Sequence, residues 1–525
     1  MTQLPSQRAP PSPRAKVGHI FALDESLSGL PTPTPCAKPR PKLRFRAKLL
    51  SITCGAAGAA ALIIREDMIR ARARGVRVVT KSRSRGATKH LRARSDVLKS
   101  PAATALLVWL VASVFAKAPA AAEDATQGIA GNPGAVDVEP GTGELGRLIG
   151  FGPDSGVRLG GVLVSNGNYL ASGGNSPGAA SFNNLFVTGL DADLDKLIHV
   201  PDAMVGAALL QFDGQPTNKQ AGVVTGYNSL QGAHPLDRTE FYELWWRQSL
   251  FADTVVVRFG KLVPTNDFGN VVRPVPVQDP SLKIPAVSGL LYTPIFVNPT
   301  ILGFLPGYYN SAYGVTATLA PSKSWYLSLG TYDGNGARGV QTGLETLPTF
   351  NGYRFQIGEI GAAWLLGSQG LPGAFAVGGW DQTGKLTLKK YPMGFITQDG
   401  AQGVYMFASQ RLCSGAGGDG VSGFIQFGVN DSRTTLFATR YFGLGLTGFG
   451  LIPGRPGDSL GAGLAWSELN QNRRYRADET LLQAYYQILV KSAFYLEPAL
   501  TLSTPGERSA SQPALAFTLQ STILF

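Results

Sequence analysis

The chain ends in Ser511-Gln-Pro-Ala-Leu-Ala-Phe-Thr-Leu-Gln-Ser-Thr-Ile-Leu-Phe525, and this stretch is the strongest indication of the fold. Side chains alternate across a β-strand, so its apolar residues share one face, namely Leu515, Phe517, Leu519, Ile523 and Phe525. The opposite face carries Ala516, Thr518, Gln520 and Thr522. A strand that ends on an aromatic residue is typical of a membrane barrel, whose last strand pairs with its first and leaves no edge in lipid. An edge strand of a soluble β-protein would give the same pattern.

Three further segments show one apolar and one polar face. They are Phe241–Leu250, Thr254–Gly260 and Phe494–Ser503. Their charged residues all fall on the polar face, namely Glu243, Arg247, Arg258 and Glu497. A charge facing lipid at mid-membrane costs about 2–4 kcal/mol, whereas a charge facing a wet lumen stays hydrated. A barrel requires this distribution, although a soluble β-sandwich would also show it. Together with the terminal Phe525, the low charge content and the export signal described below, it favours an all-β, transmembrane antiparallel β-barrel.

The basic charge of the chain belongs to its leader. Residues 1–122 carry 22 Lys and Arg against 5 Asp and Glu, whereas residues 123–525 carry 25 against 30. The part that would form the barrel is therefore slightly acidic, which removes the basis for a nucleic-acid-binding function. We expect no nucleic-acid partner.

The leader has the layout of an export signal. An apolar run, Ala102–Ala116, follows basic residues and precedes Ala120-Ala-Ala122, which predicts a secretory signal peptide over residues 97–122. Residues 1–96 are rich in Arg and Pro and are predicted to be disordered, or to lie upstream of a translation start at Val97 or Met68. A second apolar run, Leu49–Ile64, is the less favoured alternative, an inner-membrane anchor.

Two domains are expected after the signal. Residues 123–145 are small, acidic and rich in Gly and Pro, which predicts a flexible or plug-like, periplasmic N-terminal segment, and residues 146–525 form the barrel. Cys413 is the one cysteine after residue 122, and His199 and His234 are the two histidines. Metal sites and histidine-based catalytic sites usually need more such residues, so we expect no catalytic residue, metal or cofactor.

Sequence motifs identify a family. The element Gly450-Leu-Ile-Pro-Gly-Arg-Pro-Gly-Asp458, followed by Ser459–Trp466, resembles the signature of the OprB-type carbohydrate-selective porins. Other segments match that family in type and order: Leu190–Leu197, Glu243–Asp267, Leu305–Ser311, Tyr332–Asn335, Gly378–Trp380 and Gly403–Phe407. The similarity covers roughly residues 145–525.

The resemblance implies a 16-stranded barrel in the outer membrane of a Gram-negative bacterium, through which sugars diffuse down their gradient. The implied partners are outer-membrane lipids and small sugars. We also expect the outer-membrane barrel assembly machinery to act through the strand that ends at Phe525, and a homo-oligomer is left open.

A sugar pore needs aromatic faces for pyranose rings and polar groups that exchange hydrogen bonds with hydroxyls. The candidates for lining the pore are Glu243, Trp245, Arg247 and Arg258, with Arg433 and Arg440 as weaker ones. For each of them a solvated position on the wall or rim is the simpler alternative. Arg455 and Asp458 lie in a Pro- and Gly-rich turn and are predicted to form mainly a structural pair.

Three rival functions remain at this point. A general porin would pass ions and small solutes without preference for sugars. A barrel-type outer-membrane enzyme would need a nucleophile with a histidine, or a carboxylate pair, and neither motif is recognisable. A secreted, soluble sugar-binding β-protein would not depend on detergent.

Overall fold

The computed structural model describes residues 132–133, 138–234, 236–269, 271–272, 288–305, 310–322, 324–334, 351–389, 394–415, 419–434, 436–470 and 474–525. The predicted disordered or untranslated region 1–96 and the predicted signal peptide 97–122 lie outside these residues. So does most of the predicted plug-like segment.

The described residues form sixteen β-strands. Their bounds are β1 Val157–Ser172, β2 Ala180–Asp193, β3 Ala203–Gly214, β4 Arg238–Leu250, β5 Val255–Leu262, β6 Ala312–Ser322, β7 Trp325–Asp333, β8 Arg354–Leu366, β9 Leu371–Lys389, β10 Phe395–Ser414, β11 Gly420–Asn430, β12 Ala438–Phe449, β13 Ser459–Leu469, β14 Asp478–Lys491, β15 Phe494–Ser503 and β16 Ala514–Leu524. Each strand pairs antiparallel with its neighbour in sequence, and the sheet is closed. The predicted all-β barrel is confirmed.

Closure is made by the C-terminal strand. β16 pairs antiparallel with β1 over a long register that runs from Val162 opposite Leu524 to Tyr169 opposite Phe517. Both edges of the sheet are thereby used up, so no row of backbone donors and acceptors faces the lipid. The chain end therefore seals the barrel.

The face assignment made for β16 is confirmed. Phe517 and Leu519 are exposed on the outside, whereas Thr518 and Gln520 are buried on the inside. β15 follows the same rule, with Leu500 exposed and its neighbours buried. The outer surface is the apolar one, as a lipid-facing wall requires.

The two ends of the barrel differ in the length of their connections. At one end the connections are short, such as 251–254 and 492–493, and both the approach to β1 and Phe525 lie there. At the other end they are longer and include 215–237 and 263–311. Outer-membrane barrels have short periplasmic turns and long extracellular loops. The short end is therefore the periplasmic one.

Helices are few and short. Those described are α1 Glu144–Leu148, α2 Leu194–Ile198, α3 Thr217–Ala221 and α4 Thr293–Phe296. Among the described residues, none of the helices is long and apolar enough to cross a membrane. α2 begins where the Asp193 carboxylate accepts hydrogen bonds from the backbone N–H groups of Asp195 and Lys196, the usual role of an N-cap aspartate.

The segment before β1 lies against the inside of the barrel at its periplasmic rim. Arg158 of β1 forms an ion pair with Asp191 (3.2 Å) and donates hydrogen bonds to the carbonyl oxygens of Pro140 and Gly141. Earlier in the same segment, Asn132 is buried and its Nδ2 donates to the Leu290 carbonyl oxygen at 3.1 Å. These contacts are consistent with the predicted plug-like segment, which stays a prediction for the residues that are not described.

Phe525 joins this segment to the barrel. Its carbonyl oxygen accepts hydrogen bonds from the backbone N–H groups of Gly161 (2.8 Å), Thr142 (3.1 Å) and Gly143 (3.3 Å). Its ring stacks on Phe186 of β2 with the centroids 5.8 Å apart. A side chain on Gly161 would collide with this ring, because the nearest ring carbon would lie 2.5 Å from the added Cβ.

We expect Phe525→Ala to destabilise the barrel by about 3 kcal/mol, the usual cost of removing a buried phenyl ring. Urea unfolding of the bilayer-inserted protein, followed by tryptophan fluorescence, measures this change. Phe525→Tyr retains the ring and is the matched control. Equal stability of Phe525→Ala and the wild type would contradict the packing role of the terminal ring.

Candidate functional site

The described residues of two extracellular connections fold into the barrel. Within 215–237 and 263–311, apolar side chains are buried among inward-facing wall residues. The buried side chains of these connections include Tyr227, Leu230, Phe268, Leu290, Tyr292, Ile295, Phe296, Ile301 and Phe304. We call residues 222–234 and 288–305 together the lumen bridge. The path of any solute is therefore set by the lumen bridge and the wall together.

The two halves of the lumen bridge are joined by backbone hydrogen bonds. The Ser229 N–H donates to the Leu291 carbonyl oxygen at 2.8 Å, and the Thr293 N–H donates to the Gly226 carbonyl oxygen at 2.9 Å. Pairing of this kind satisfies backbone groups that would otherwise be buried without partners. The two connections thus act as one structural unit.

Amide side chains fasten the lumen bridge to the wall at β1. Asn228 Oδ1 accepts from Asn166 Nδ2 at 3.1 Å, and Asn228 Nδ2 donates to Asn168 Oδ1 at 2.6 Å. All three amides are buried. A buried amide is tolerated when its donors and acceptors are used, as they are here.

A second set of amide contacts lies at β11. Asn298 Nδ2 donates to the Phe427 carbonyl oxygen at 3.0 Å, and Asn430 Nδ2 donates to the Thr300 carbonyl oxygen at 2.7 Å. The lumen bridge is therefore held at separate parts of the barrel circumference, near β1 and near β11.

The start of the connection 263–311 is held by two carboxylates. Asp267 accepts hydrogen bonds from Arg258 Nη2 (2.6 Å) and Thr316 Oγ1 (3.1 Å). Glu359 of β8 is buried and accepts from the Gly269 N–H at 2.8 Å. Glu359 also accepts from the hydroxyls of two wall tyrosines, Tyr326 and Tyr405, each at 2.7 Å.

Three of the predicted pore-lining residues meet on the inner wall of β4 and β5. Glu243, Trp245 and Arg258 face inward, as predicted, and all three are buried. The Arg258 guanidinium lies over the Trp245 ring, 5.8 Å from its centroid, which is within the range of a cation–π contact. The charge of Arg258 is thus balanced by Asp267 and packed against an aromatic face.

Trp245 does not offer the open aromatic face that was expected. Its side chain is 3% exposed and its ring covers Gly206 of β3, where an added Cβ would lie 2.1 Å from the ring. The packing of Arg258 on the ring closes it further. Trp245 therefore supports the wall, and the expectation that it stacks directly on a sugar ring is not met by this geometry.

Arg247 differs from its neighbours because its side chain is only half-buried. It pairs with Arg258 across β4 and β5, so both guanidinium groups lie on the inner face. Its Nη1 lies 3.7 Å from Met204 Sδ, and no carboxylate of the described residues forms an ion pair with it. Of the four strongest candidates, Arg247 keeps its donors most accessible to a solute.

Comparison with known proteins supplies the family. The sequence matches the profile described as "Carbohydrate-selective porin, OprB family" over residues 178–525. The chain belongs to this family. It is an outer-membrane porin whose barrel serves carbohydrate-selective passive diffusion.

One solved structure supports the fold of this OprB-family porin, and two more distant ones were also found. A high-pH structure of OprB from Pseudomonas putida has a TM-score of 0.62 and 18% identity, and the alignment covers 74% of this chain and 99% of that one. A low-pH structure of the same protein gives 0.47 and 17%, covering 74% and 100%. OmpT of Vibrio cholerae gives 0.41 and 11%, covering 70% and 97%. A search of curated proteins found no match.

The two weaker pore candidates lie elsewhere in the porin. Arg433 is exposed in the extracellular connection 431–437, and its backbone N–H donates to Gln398 Oε1 at 2.8 Å. Arg440 lies on the outer face of β12, in line with Phe442 and Leu444, and forms an ion pair with Glu468 at 3.2 Å. Placing Arg440 in the pore was wrong, because strand alternation puts it on the outward face together with Phe442 and Leu444.

The family element Gly450–Asp458 forms the periplasmic turn between β12 and β13 of the porin. Arg455 binds Asp458 through two hydrogen bonds, from Nε at 2.8 Å and from Nη2 at 2.9 Å. Arg455 Nη2 also donates to the Leu489 carbonyl oxygen at 3.0 Å, and Asp458 accepts from Tyr486 and from the Leu489 N–H. The predicted Arg–Asp pair is present and ties the turn to β14.

The porin also uses residues that the sequence patterns did not single out. Glu359 and Asn228 hold the inward connections, yet neither lies in a segment that resembled the family, and Asp267 ends the segment Glu243–Asp267 without having been singled out as a site residue. Glu359 could have been noticed as an acidic residue at an inward position of a strand, between the apolar neighbours Ile357 and Ile360. The partner that makes each of them useful lies far away in sequence.

The Arg455–Asp458 pair makes a pH-dependent contribution. Burial would raise the pKa of Asp458, but hydrogen bonds from Arg455, Tyr486 and the Leu489 N–H outweigh it and hold the pKa below its usual value. A lowered folded-state pKa means that the stabilisation is present above the ordinary carboxyl pKa, about 3.9, and is lost as pH falls through the lower folded value.

We therefore expect Arg455→Ala to lower the thermal midpoint of the detergent-solubilised porin at pH 7. The difference from the wild type should shrink as the pH falls below the ordinary pKa of an aspartate. Arg433→Ala, which removes an exposed loop arginine, is the control and should leave the midpoint unchanged. If the two thermal midpoints differ as much below the ordinary aspartate pKa as they do at pH 7, Asp458 is not the titrating partner.

Proposed function

We propose that sugars cross this porin by passive diffusion along the inner wall of β4 and β5, with Arg247 as the side chain that they contact there. The observation that carries this proposal is the contrast between Arg247, which is half-buried and has accessible donors, and Glu243, Trp245 and Arg258, which are packed. A guanidinium offers five donors in a planar fork, so it can exchange hydrogen bonds between water and successive sugar hydroxyls.

The packed neighbours keep this contact in place. Trp245 fills the space over Gly206, and Arg258 is held by Asp267. Since these residues neutralise and cover one another, Arg247 is the group left to meet a solute. Contacts in a pore must also be weak, or the solute would not leave. A single half-buried arginine without a carboxylate partner among the described residues satisfies that requirement.

We further propose that the protein catalyses no reaction. The porin family and the barrel fold support a channel, and the alternative of a barrel-type enzyme would need a catalytic constellation of which the sequence holds no recognisable motif. A general porin without sugar preference is the second candidate within the same class. The two differ in whether sugars pass faster than other solutes of equal size.

Two further proposals, on signal cleavage and on barrel assembly, follow from the outer-membrane location of the porin. We propose that the mature chain begins after Ala122 and that the assembly machinery engages the strand ending at Phe525 before the barrel closes. In the folded barrel that residue is 6% exposed, which supports engagement at an earlier stage. Native mass spectrometry of the purified protein measures its oligomeric state.

We expect liposomes that contain the purified porin to take up monosaccharides faster than amino acids of matched size. Arg247→Ala should slow sugar uptake about threefold, since a hydrogen bond contributes about 0.5–1.5 kcal/mol. Arg440→Ala is the matched control, because it removes an arginine that faces outward, and it should change nothing. Equal uptake of all solutes by the wild type would favour the general porin, and an unaffected Arg247→Ala would move the sugar contact elsewhere.

A further inference from the structure

β14 presents two polar side chains to the lumen bridge. Glu479 and Gln483 are four residues apart, so they lie on the same, inward face of the strand. Both side chains are fully buried. Glu479 contacts the first half of the lumen bridge, residues 222–234, and Gln483 contacts both halves.

Glu479 gathers donors from the first half of the lumen bridge. Its carboxylate accepts hydrogen bonds from the backbone N–H groups of Val224 (2.6 Å) and Thr225 (2.9 Å) and from the Thr225 hydroxyl. Gly506, in the connection 504–513, lies beside this carboxylate. A side chain at Gly506 would displace the carboxylate, because an added Cβ would lie 2.2 Å from a Glu479 oxygen.

Gln483 holds the second half. Its Oε1 accepts from the Leu291 N–H at 2.6 Å, while its Nε2 donates to the Tyr227 carbonyl oxygen at 3.3 Å and to Thr501 Oγ1 at 2.7 Å. Leu291 is also the residue whose carbonyl oxygen accepts from Ser229. The two halves of the lumen bridge and β14 therefore meet at this one place.

We infer that Glu479 is a positioning residue that sets the bore of the pore and, through it, the size of solute that passes. The inference rests on the proposed function, because it assumes that solutes pass beside the lumen bridge. Glu479 does so by fixing residues 222–228 at the wall. Gln483 binds the second half of the lumen bridge at Leu291 and is the second point of attachment.

The chemistry favours a carboxylate at this position. An ionised carboxylate accepts hydrogen bonds at about four lone-pair sites and donates none, which suits the three converging donors. Alanine would leave the N–H groups of Val224 and Thr225 without this acceptor. Buried donors without partners are unfavourable, so this part of the lumen bridge should move until water reaches them.

The barrel itself does not depend on these contacts. The backbone hydrogen bonds that pair β14 with β13 and β15 are made by other atoms. A neighbouring carboxylate offers a matched control: Glu497 of β15 faces inward, is also buried, and accepts from Gln487 Nε2 of the wall at 2.9 Å. Glu497→Gln therefore alters a buried lumen carboxylate with no contact to the lumen bridge among its described bonds.

The test compares Glu479→Ala, Glu479→Gln and Glu497→Gln with the wild type in two assays. Planar bilayers give the single-channel conductance, and liposome swelling gives the rate at which sugars of increasing size enter. We expect Glu479→Ala to raise single-channel conductance about twofold and to admit larger oligosaccharides, because both depend on the narrowest cross-section. Glu479→Gln retains an acceptor but adds an amide N–H that faces donors, so its effect should be intermediate. Glu497→Gln should behave as the wild type does.

Heat-modifiable gel mobility shows for each variant that the barrel has closed. Wild-type conductance and size limit in Glu479→Ala would overturn the inference while leaving the proposed function intact. If Glu479→Ala does not fold, an unchanged size limit in Glu479→Gln overturns it instead. An equal change in Glu497→Gln would also overturn it, since the effect would then come from losing any lumen carboxylate. A wild-type porin that conducts ions but shows no preference for sugars would contradict the proposed function and not this inference.

Discussion

A sheet in a lipid bilayer has no water to satisfy the backbone groups of an open edge, so the barrel has to close on itself. Pairing of β16 with β1 removes both edges. Phe525 completes the closure, because its carbonyl oxygen binds the backbone ahead of β1 and its ring packs on β2. The alternation of apolar and polar residues along each strand then follows, since one face meets lipid and the other meets the lumen.

Closure creates a second problem, which is a wide cylinder that would pass solutes without discrimination. The described residues of the connections 215–237 and 263–311 fold inward and narrow this cylinder. Some of their backbone groups are paired with each other, and others are bound by wall side chains such as Glu359 and Gln483. Buried polar groups are stable only when paired, so the wall and the lumen bridge have to fit each other closely.

In the function that we propose, selectivity depends on which side chains the inward connections leave accessible. Trp245 and Arg258 are used in packing, with Arg258 bound to Asp267, while Arg247 keeps its donors within reach of the lumen. Arg440, on the outer face, instead forms an ion pair with Glu468. A charged residue that faces the membrane is tolerated near the lipid–water interface. Residue type alone does not separate these two arginine roles.

Neighbouring residues are enough to predict the barrel, the faces of β15 and β16, the inward direction of Glu243, Trp245, Arg247 and Arg258, and the family, because a period of two and a short motif are local properties. The outward position of Arg440 is local in the same sense, since it alternates in step with Phe442 and Leu444. By contrast, the burial of Trp245 and the contact of Glu479 with residues some 250 positions earlier in the chain are seen only in the folded barrel. Alternation belongs to one strand, whereas a buried hydrogen bond between distant segments exists only after the barrel has closed around its inward connections.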